Sequence, residues 1–363
     1  MKNLDKITVS GFKSIKELND FELRQLNIII GSNGVGKSNF INIFKLLYQI
    51  ILRNLQTFVG KAGGAEKLLY YGSKITEEIF IKFLFGNNGY EVRLISTAED
   101  KLLIEKEIVS FFNERRWTAS HPFELKISTS VPESNLPESK EDVASYVRNI
   151  MTHWRVYHFH DTSESAKVKK LADIADNSML RDDASNLASF LYLLKKRSRS
   201  DYQNIVEIVR LVFPLFDDFI LRPYSLNPDK ILLEWKEKGS DSYFNASALS
   251  DGTLRFICLA VLLLQPELPS LIIIDEPELG LHPHAIQVLA GLLESAAKKS
   301  QVIVSTQSVT LINQFQAEDI VVVERQNGET SFKRCSDQEL EHWLTDYGLG
   351  ELWEKNLLGG TPL

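Results

Sequence analysis

Gly31-Ser-Asn-Gly-Val-Gly-Lys-Ser38 stands between a short apolar run and an amphipathic stretch. The run Leu26–Ile30 (LNIII) predicts a buried strand, and apolar residues at helical spacing follow Lys37. The octapeptide therefore fits the phosphate-loop pattern G-x-x-x-x-G-K-[ST] in the order strand, loop, helix that the pattern requires. Its glycines let the backbone bend and approach a phosphate closely.

The residues of this loop suggest how a nucleotide would be held. Backbone N–H groups and the helix N-terminus face the negative charge. We expect Lys37 to reach the β- and γ-phosphates and the Ser38 hydroxyl to bind Mg²⁺. The other residues predicted to line the nucleotide are Ser32, Asn33, Gly34, Val35, Gly36 and Asn39.

A second motif lies about two-thirds along the chain, where the apolar run Leu271–Ile274 ends in Asp275 and Glu276. The run predicts a central strand with both faces buried. Asp275 would then hold Mg²⁺ at the carboxyl end of the strand, where α/β sheets bind ligands. Glu276 is placed to polarise the attacking water as general base. Together with the phosphate loop, this motif indicates a nucleoside triphosphatase.

A third element, Leu249–Arg255 (LSDGTLR), precedes an apolar helical stretch. Ser250 is a good N-cap residue, and Gly252 keeps the first turn open. A capped helix start with a small residue is a second phosphate-binding end. Many helices begin with such residues, but their position just before the strand that ends in Asp275 and Glu276 makes a phosphate-binding role a specific prediction.

These motifs resemble those of the ATP-binding-cassette (ABC) ATPases, in particular the heads shared by SMC, RecF and OLD proteins and the short stand-alone members known as predicted ATPases. The resemblance rests on GSNGVGKS (31–38), LSDGT (249–253), LIIIDEPELGLHP (271–283) and VIVSTQS (302–308). It implies an α/β fold: a P-loop NTPase with a mixed central sheet, an antiparallel β layer and a helical subdomain.

The resemblance also implies roles that spacing alone does not show. In such ATPases two heads dimerise around two ATP molecules, so Ser250 and Gly252 would touch the γ-phosphate bound to the other subunit. Lys13 would lie beside the phosphates of its own subunit. His160 or Asp161 would take the place of the Q-loop near Mg²⁺, with His160 as the expected metal ligand.

One position departs from the family pattern. Most such ATPases carry a histidine after the penultimate strand, and this chain has Gln307. Glutamine can hydrogen-bond a phosphate or a water molecule, but it cannot be protonated. We therefore expect Gln307 to act at the catalytic site as a phosphate sensor. The resemblance further implies that Glu278–His282 forms the D-loop across the dimer interface.

Composition narrows the protein class. The chain has 363 residues, a net charge of −7 and two cysteines without metal-type spacing. The negative charge argues against a broadly basic nucleic-acid surface. The cysteine usage fits a reducing compartment, and the N-terminus has no apolar signal core. The sequence predicts a cytoplasmic protein that uses ATP and Mg²⁺ and has no membrane contact.

Three segments are predicted along the chain. Residues 1–135 would form a first ATPase lobe with the phosphate loop and the β layer. Residues 136–230 would hold the Q-loop-like strand and the helical subdomain. Residues 231–363 would form the second lobe.

Secondary structure can be predicted within these segments. Residues 75–130 have the alternation of an antiparallel sheet, with a hairpin signal at 86–89 (GNNG). Serine, proline and glutamate dominate 128–141, which predicts an exposed loop. Residues 166–213 are predicted to be helical, without the sustained heptads of long coiled coils.

Three functions fit these motifs. The leading one is a Mg-ATP-dependent clamp whose heads close on ATP and change the shape of bound DNA or a protein partner, in DNA maintenance or antiphage defence. The second is a nucleotide-gated subunit that restrains a separate nuclease or toxin. A transporter subunit is the weakest, because the usual Q-loop glutamine is absent. A basic cluster at 195–199 is either a contact with nucleic acid or a partner, or a solvated helix end, and we favour the helix end.

Overall fold

A computed structural model describes residues 3–112 and 122–360. Within these ranges the chain forms ten α-helices and eighteen strands. The helices are α1 (Lys37–Ile51), α2 (Leu55–Ala62), α3 (Asp142–Thr152), α4 (Leu187–Arg197), α5 (Arg199–Val212), α6 (Asp251–Leu264), α7 (Pro283–Ala297), α8 (Val309–Ile312), α9 (Asp337–Leu344) and α10 (Leu349–Glu354). The strands are β1 (Lys6–Phe12), β2 (Ile15–Glu22), β3 (Leu26–Ile30), β4 (Glu78–Phe85), β5 (Asn88–Ser96), β6 (Leu102–Phe111), β7 (Phe123–Val131), β8 (Trp154–Tyr157), β9 (Ala172–Asp173), β10 (Phe216–Ile220), β11 (Pro223–Tyr224), β12 (Asn227–Ile231), β13 (Glu234–Glu237), β14 (Tyr243–Asn245), β15 (Leu271–Asp275), β16 (Gln301–Thr306), β17 (Ile320–Gln326) and β18 (Glu329–Arg334).

The central sheet has the strand order β18-β17-β3-β16-β15-β8. Strands β17, β3, β16, β15 and β8 run parallel, and β18 pairs antiparallel with β17. All five residues of β3 are buried, as expected of a parallel strand covered on both faces. The predicted mixed sheet is confirmed, and the carboxyl ends of β3, β15 and β16 meet at one edge.

The antiparallel layer has the order β2-β1-β4-β5-β6-β7. The predicted hairpin joins β4 and β5, with Phe85 paired to Asn88. Buried residues alternate along β4 with half-buried ones, so one face of the layer packs on the core. The predicted antiparallel layer is confirmed.

Two hydrophobic cores lie on opposite faces of the central sheet. Along β3, Ile28 and Ile30 belong to one core and Ile29 to the other. The first core contains α4–α7 and the second contains α1 and the antiparallel layer. The three predicted segments share these sheets and cores, since β8 and β15 pair although they belong to different segments.

Two secondary-structure predictions were wrong. Residues 128–131 continue β7, and Ser128 and Ser134 are buried, donating hydrogen bonds to the carboxylate of the fully buried Glu107. Between residues 166 and 186 the chain forms a 3₁₀ turn at Lys167–Lys169, β9 and further turns instead of an α-helix, whereas α4 and α5 form in the rest of the predicted helical range. The Asn186 amide donates to the carbonyl oxygens of Asp176 (2.9 Å) and Met179 (2.8 Å), which stabilises this irregular path.

In the part of the chain that the structure describes, every helix is too short or too polar to cross a lipid bilayer.

Candidate nucleotide-binding site

The phosphate loop forms the turn between β3 and α1. At Gly36 φ is +121°, and a Cβ there would lie 2.4 Å from the Thr330 hydroxyl oxygen. Only glycine fits this position, because the backbone is left-handed and a side chain would collide with Thr330. Lys37 Nζ donates hydrogen bonds to the carbonyl oxygens of Gly31 (2.6 Å) and Ser32 (3.0 Å). The ammonium group therefore lies inside the curve of the loop.

A hydroxyl network supports the loop from behind. Thr330 Oγ1 donates to the Val35 carbonyl oxygen at 2.7 Å and lies 2.7 Å from Ser14 Oγ. Asn39 Nδ2 donates to the same Ser14 oxygen at 2.7 Å. Lys13, with φ +51°, precedes Ser14 in the turn between β1 and β2, and burial lowers the pKa of its ammonium group. The β1–β2 turn is thereby fixed to the phosphate loop.

The acidic pair follows β15 at the same edge of the sheet. The parallel register pairs Asp275 with Ser305, whose hydroxyl donates to the Asp275 carboxylate. Glu276 has φ +44°, a left-handed conformation that costs energy for any residue other than glycine. Burial lowers the pKa of Lys37, while the Glu276 and Asp275 carboxylates oppose that change. Lys37, Asp275 and Glu276 thus form one electrostatic cluster. Ser38, the other predicted Mg²⁺ ligand, is exposed on the first turn of α1.

Gln307 joins the acidic motif to the phosphate loop. Its Nε2 donates to Glu276 Oε1 at 2.6 Å and to Asn33 Oδ1 at 2.8 Å. Three residues predicted separately from the sequence are therefore in direct contact. The amide orients the Glu276 carboxylate toward the Asn33 end of the loop.

Glu278 anchors the segment after the acidic pair. Thr306 Oγ1 and the Gln307 N–H both donate to Glu278 Oε1, at 2.5 Å and 3.3 Å. Burial raises the pKa of this carboxyl group, and the hydrogen bonds oppose the rise. The predicted D-loop therefore begins at a half-buried, hydrogen-bonded side chain beside β16.

The segment after β8 reaches the acidic motif through an imidazole. The His160 Nε2 lies 2.9 Å from the Asp275 carbonyl oxygen. Asp161 instead accepts hydrogen bonds from the N–H and the hydroxyl of Ser163. His160 is thus the residue of this segment that contacts the acidic motif, and its role as a metal ligand stays a prediction.

Ser250 caps α6 as predicted, accepting a hydrogen bond from the Thr253 N–H at 3.2 Å. Gly252 packs directly on the D-loop, because a Cβ there would lie 2.2 Å from the Gly280 carbonyl oxygen. Ser250 is exposed at this helix start. The capped end of α6 and the D-loop thus form one surface beside the acidic motif.

Comparison with known proteins identifies the family of this chain. The family model described as "AAA domain, putative AbiEii toxin, Type IV TA system" matches residues 26–313. The chain belongs to this family. The matched range runs from β3 to the residue after α8 and includes the phosphate loop, the capped end of α6 and both acids. No curated protein matches the chain.

Several solved structures are similar over nearly the full length. An SMC head bound to the C-terminal winged-helix domain of ScpA has a TM-score of 0.61 and 17% identity, covering 93% of this chain and 99% of that one. An SMC head with an extended coiled coil, bound to the C-terminal domain of ScpA derived from Pyrococcus furiosus, has a TM-score of 0.58 and 16% identity, with 95% and 99% covered. An SMC head with coiled coil and joint from Pyrococcus yayanosii has a TM-score of 0.54 and 11% identity, again with 95% and 99% covered. The protein is an AAA-domain ATPase with the ABC-type fold of SMC heads.

Arg255 of this ATPase is a structural residue of the site that sequence reasoning missed. Its side chain is buried and donates to three backbone carbonyls, those of Phe159 (2.9 Å), His160 (3.2 Å) and Leu279. The guanidinium group thereby joins α6, the segment after β8 and the D-loop. The only local signal in the sequence was a charged residue within an apolar helix.

Lys45 is a second residue that sequence reasoning missed. Burial lowers its pKa, the Asp275 carboxylate opposes that change, and the charge of Lys13 reinforces it. Burial also lowers the pKa of His158, with Lys45 acting in the same direction. Lys45 follows Ser38 by seven residues, so helical periodicity places both on one face of α1. In the AAA-domain ATPase, Lys37 and Lys45 thus both interact with the Asp275 carboxylate, and Lys13 lies close enough to Lys45 to repel its charge.

Proposed function

We propose that this ATPase is a Mg²⁺-dependent molecular clamp whose two heads close around ATP and open after hydrolysis. The observation that carries the proposal is the contact of Gln307 Nε2 with both Glu276 and Asn33. It brings a candidate general base to the end of a phosphate loop. That is the arrangement required for attack of water on a γ-phosphate.

The residues of the site divide the chemistry between them. Glu276 accepts a proton from a water molecule while the oxygen of that water attacks the γ-phosphorus. ADP is the leaving group. Lys37 turns from the loop carbonyls toward the phosphates and neutralises charge that develops there. Gln307 keeps the Glu276 carboxylate oriented and senses the phosphate through its amide. Lys13 adds positive charge from the neighbouring turn.

The donor set fits Mg²⁺. This ion usually binds to one or two protein oxygens, substrate phosphates and water. Ser38 and Asp275 supply a hydroxyl and a carboxylate, with His160 bonded behind Asp275. Among the residues described, no group of three or more His, Cys, Asp or Glu side chains is arranged to hold a metal ion, at this site or at any other. When bound, the ion would draw charge from the phosphate oxygens.

Closure of two heads would complete the site. Ser250 is exposed, and its hydroxyl contacts Thr253 of its own helix. The capped start of α6 is an anion-binding end with a positive dipole. We therefore place Ser250 and Gly252 of a second copy against the γ-phosphate, next to that copy's D-loop.

The partner of the clamp is a protein or DNA. The solved SMC heads are bound to ScpA domains, which supports a protein partner by analogy. DNA is the less supported choice, because Lys195 in the basic cluster is already paired with Asp218 at 3.0 Å. The pathway would be DNA maintenance or antiphage defence.

A second function is a nucleotide-controlled subunit of a toxin–antitoxin pair, which restrains a separate effector such as a nuclease or a toxin. The family description favours it, since it names a toxin of a type IV toxin–antitoxin system. This subunit would use the same ATP site and would turn over slowly.

The deciding experiment measures the solution mass of the Glu276→Gln variant with and without Mg-ATP. Loss of the base should trap ATP, so the clamp predicts a doubling of mass on ATP. Glu267→Gln, an exposed residue after α6, is the matched control and should stay unchanged. A mass that stays that of a single chain, with ATP shown to be bound, would reject closure of two heads and favour the nucleotide-controlled subunit.

A further inference from the structure

The last described part of the chain, residues 349–360, lies against the nucleotide site. It comprises α10 and the residues that follow it, and we refer to it as the 349–360 segment. Near its start, the Gly350 N–H donates to Asn313 Oδ1 at 2.7 Å. A Cβ on Gly350 would lie 2.6 Å from the Val309 carbonyl oxygen. The segment therefore begins by packing closely on α8, which starts two residues after Gln307.

The other end of the segment reaches the phosphate loop itself. The Gly360 carbonyl oxygen accepts a hydrogen bond from the Ser32 N–H at 2.7 Å, and the Gly360 N–H donates to Glu324 Oε1 at 2.9 Å. Gly360 is buried with φ +78°, and a Cβ there would lie 2.9 Å from Val322 Cγ1. A glycine is required for the chain to fit between β17 and the start of the loop.

Between these two ends the segment borders a cavity of 630 Å³. The residues around the cavity are Ser32, Asn33, Gln307, Trp353, Glu354, Lys355 and Asn356. Asn33 and Gln307 are the groups bonded to each other beside Glu276. The cavity therefore lies at the end of the loop where the general base is held, which is the γ-phosphate end.

We propose that the 349–360 segment is a positioning element that fixes the γ-phosphate end of the loop and gives the site its preference for a triphosphate over a diphosphate. The inference rests on the proposed ATPase site. The Ser32–Asn33 turn lies in a glycine-rich loop, and a loop held in its binding conformation loses less entropy when ligand binds. ADP lacks the γ-phosphate, so it gains little from order at this end.

The contact at Gly360 gives a direct test. Gly360→Ala adds a Cβ where the backbone is left-handed and the space is filled, so it should release the segment from Ser32. We expect at least a fivefold fall in the ratio of AMP-PNP affinity to ADP affinity, with ADP affinity within twofold of wild type. Deletion of residues 359–363 should give the same result by another route. Gly291→Ala in α7 is the matched control, because a Cβ there meets no atom within 4 Å.

Each alternative outcome has a definite meaning. An equal loss of AMP-PNP and ADP affinity would reduce the segment to general structural support and overturn the inference. Tighter AMP-PNP binding would show that the segment obstructs the site, which also overturns it. Lys37→Ala serves as the reference for the site. If Lys37→Ala binds both nucleotides as tightly as wild type does, the proposed function fails. If Lys37→Ala loses affinity but Gly360→Ala binds both nucleotides like wild type, the inference about the segment fails and the proposed function stands.

Discussion

Replacing Arg255 by methionine removes the guanidinium group that joins α6, the segment after β8 and the D-loop. Methionine keeps most of the apolar stem, so the change isolates the three hydrogen bonds to Phe159, His160 and Leu279. Lysine at the same position keeps a charge but cannot reach three carbonyls in a planar arrangement. The pair of variants therefore separates charge from geometry.

The expected magnitude follows from the surroundings of each carbonyl. Phe159 is buried, so its bond to a charged donor counts for about 2 kcal/mol. His160 and Leu279 are exposed, so water can replace those bonds, which we count at about 0.5–1 kcal/mol each. Burial lowers the pKa of Arg255, because the charged guanidinium group loses contact with water in the folded protein. Replacing Arg255 removes this cost, which offsets part of the energy of the three lost hydrogen bonds. We expect a net loss of about 2–3 kcal/mol in the free energy of unfolding.

Urea unfolding measures the stability, and steady-state ATP hydrolysis at a temperature where the variant is folded measures the site. Because His160 and the D-loop flank the acidic pair, we expect kcat to fall about tenfold or more, which corresponds to about 1.4 kcal/mol. Arg197→Met, at an exposed position in α4, should stay within about 0.5 kcal/mol of wild type. An Arg255→Met protein of wild-type stability, or a destabilised one with full kcat, would refute this reasoning.

Three further changes test other parts of the molecule. Gly252→Ala drives a Cβ to 2.2 Å from the Gly280 carbonyl oxygen, so ATPase activity should fall and unfolding should become easier by about 1–3 kcal/mol, unlike Gly291→Ala. Burial raises the pKa of Glu107 above 4.5, so wild type should lose stability relative to Glu107→Gln as pH rises through the folded pKa, measured by urea unfolding. Gln307→His should add an inflection at about pH 6.5 to the pH–rate profile of ATP hydrolysis, because histidine titrates in this range.

Each of these expectations has a contrary outcome. A Gly252→Ala enzyme as active as Gly291→Ala would mean that α6 and the D-loop separate freely. A stability difference between wild type and Glu107→Gln that stays constant with pH would show that the carboxyl group is not destabilised by burial. A pH profile of Gln307→His identical to that of wild type would place position 307 outside the reacting centre.

Local sequence patterns predicted the parts of the site that depend on local physics. The turn between β3 and α1, the hairpin between β4 and β5 and the cap at Ser250 each use residues a few positions apart. The two acidic residues were assigned because a parallel strand places its carboxyl end at the ligand edge. The contact of Glu276 with Gln307, and through it with Asn33, depends on the order of the strands in the central sheet, which no local pattern states.

The errors arose where distant residues decide the structure. The polar run 128–141 reads as a solvated loop, yet Glu107 on the neighbouring strand binds Ser128 and Ser134 and draws them into the core. Residues 166–186 have apolar spacing that fits a helix, but the Asn186 side chain supplies competing hydrogen bonds. Arg255 and Gly360 act on groups 24–96 and over 300 residues away in sequence, so no local pattern could reveal their roles.

Strand β3 belongs to both hydrophobic cores, because Ile28 and Ile30 pack in one core and Ile29 packs in the other. Neither core can lose its packing without exposing the strand that ends in the phosphate loop. The two sides of the molecule should therefore unfold in a single cooperative transition rather than one after the other. A nucleotide bound at the end of this strand would then raise the melting temperature of both sides together, by mass action on the folded state. Ligand occupancy and global folding would be one linked equilibrium in this ATPase.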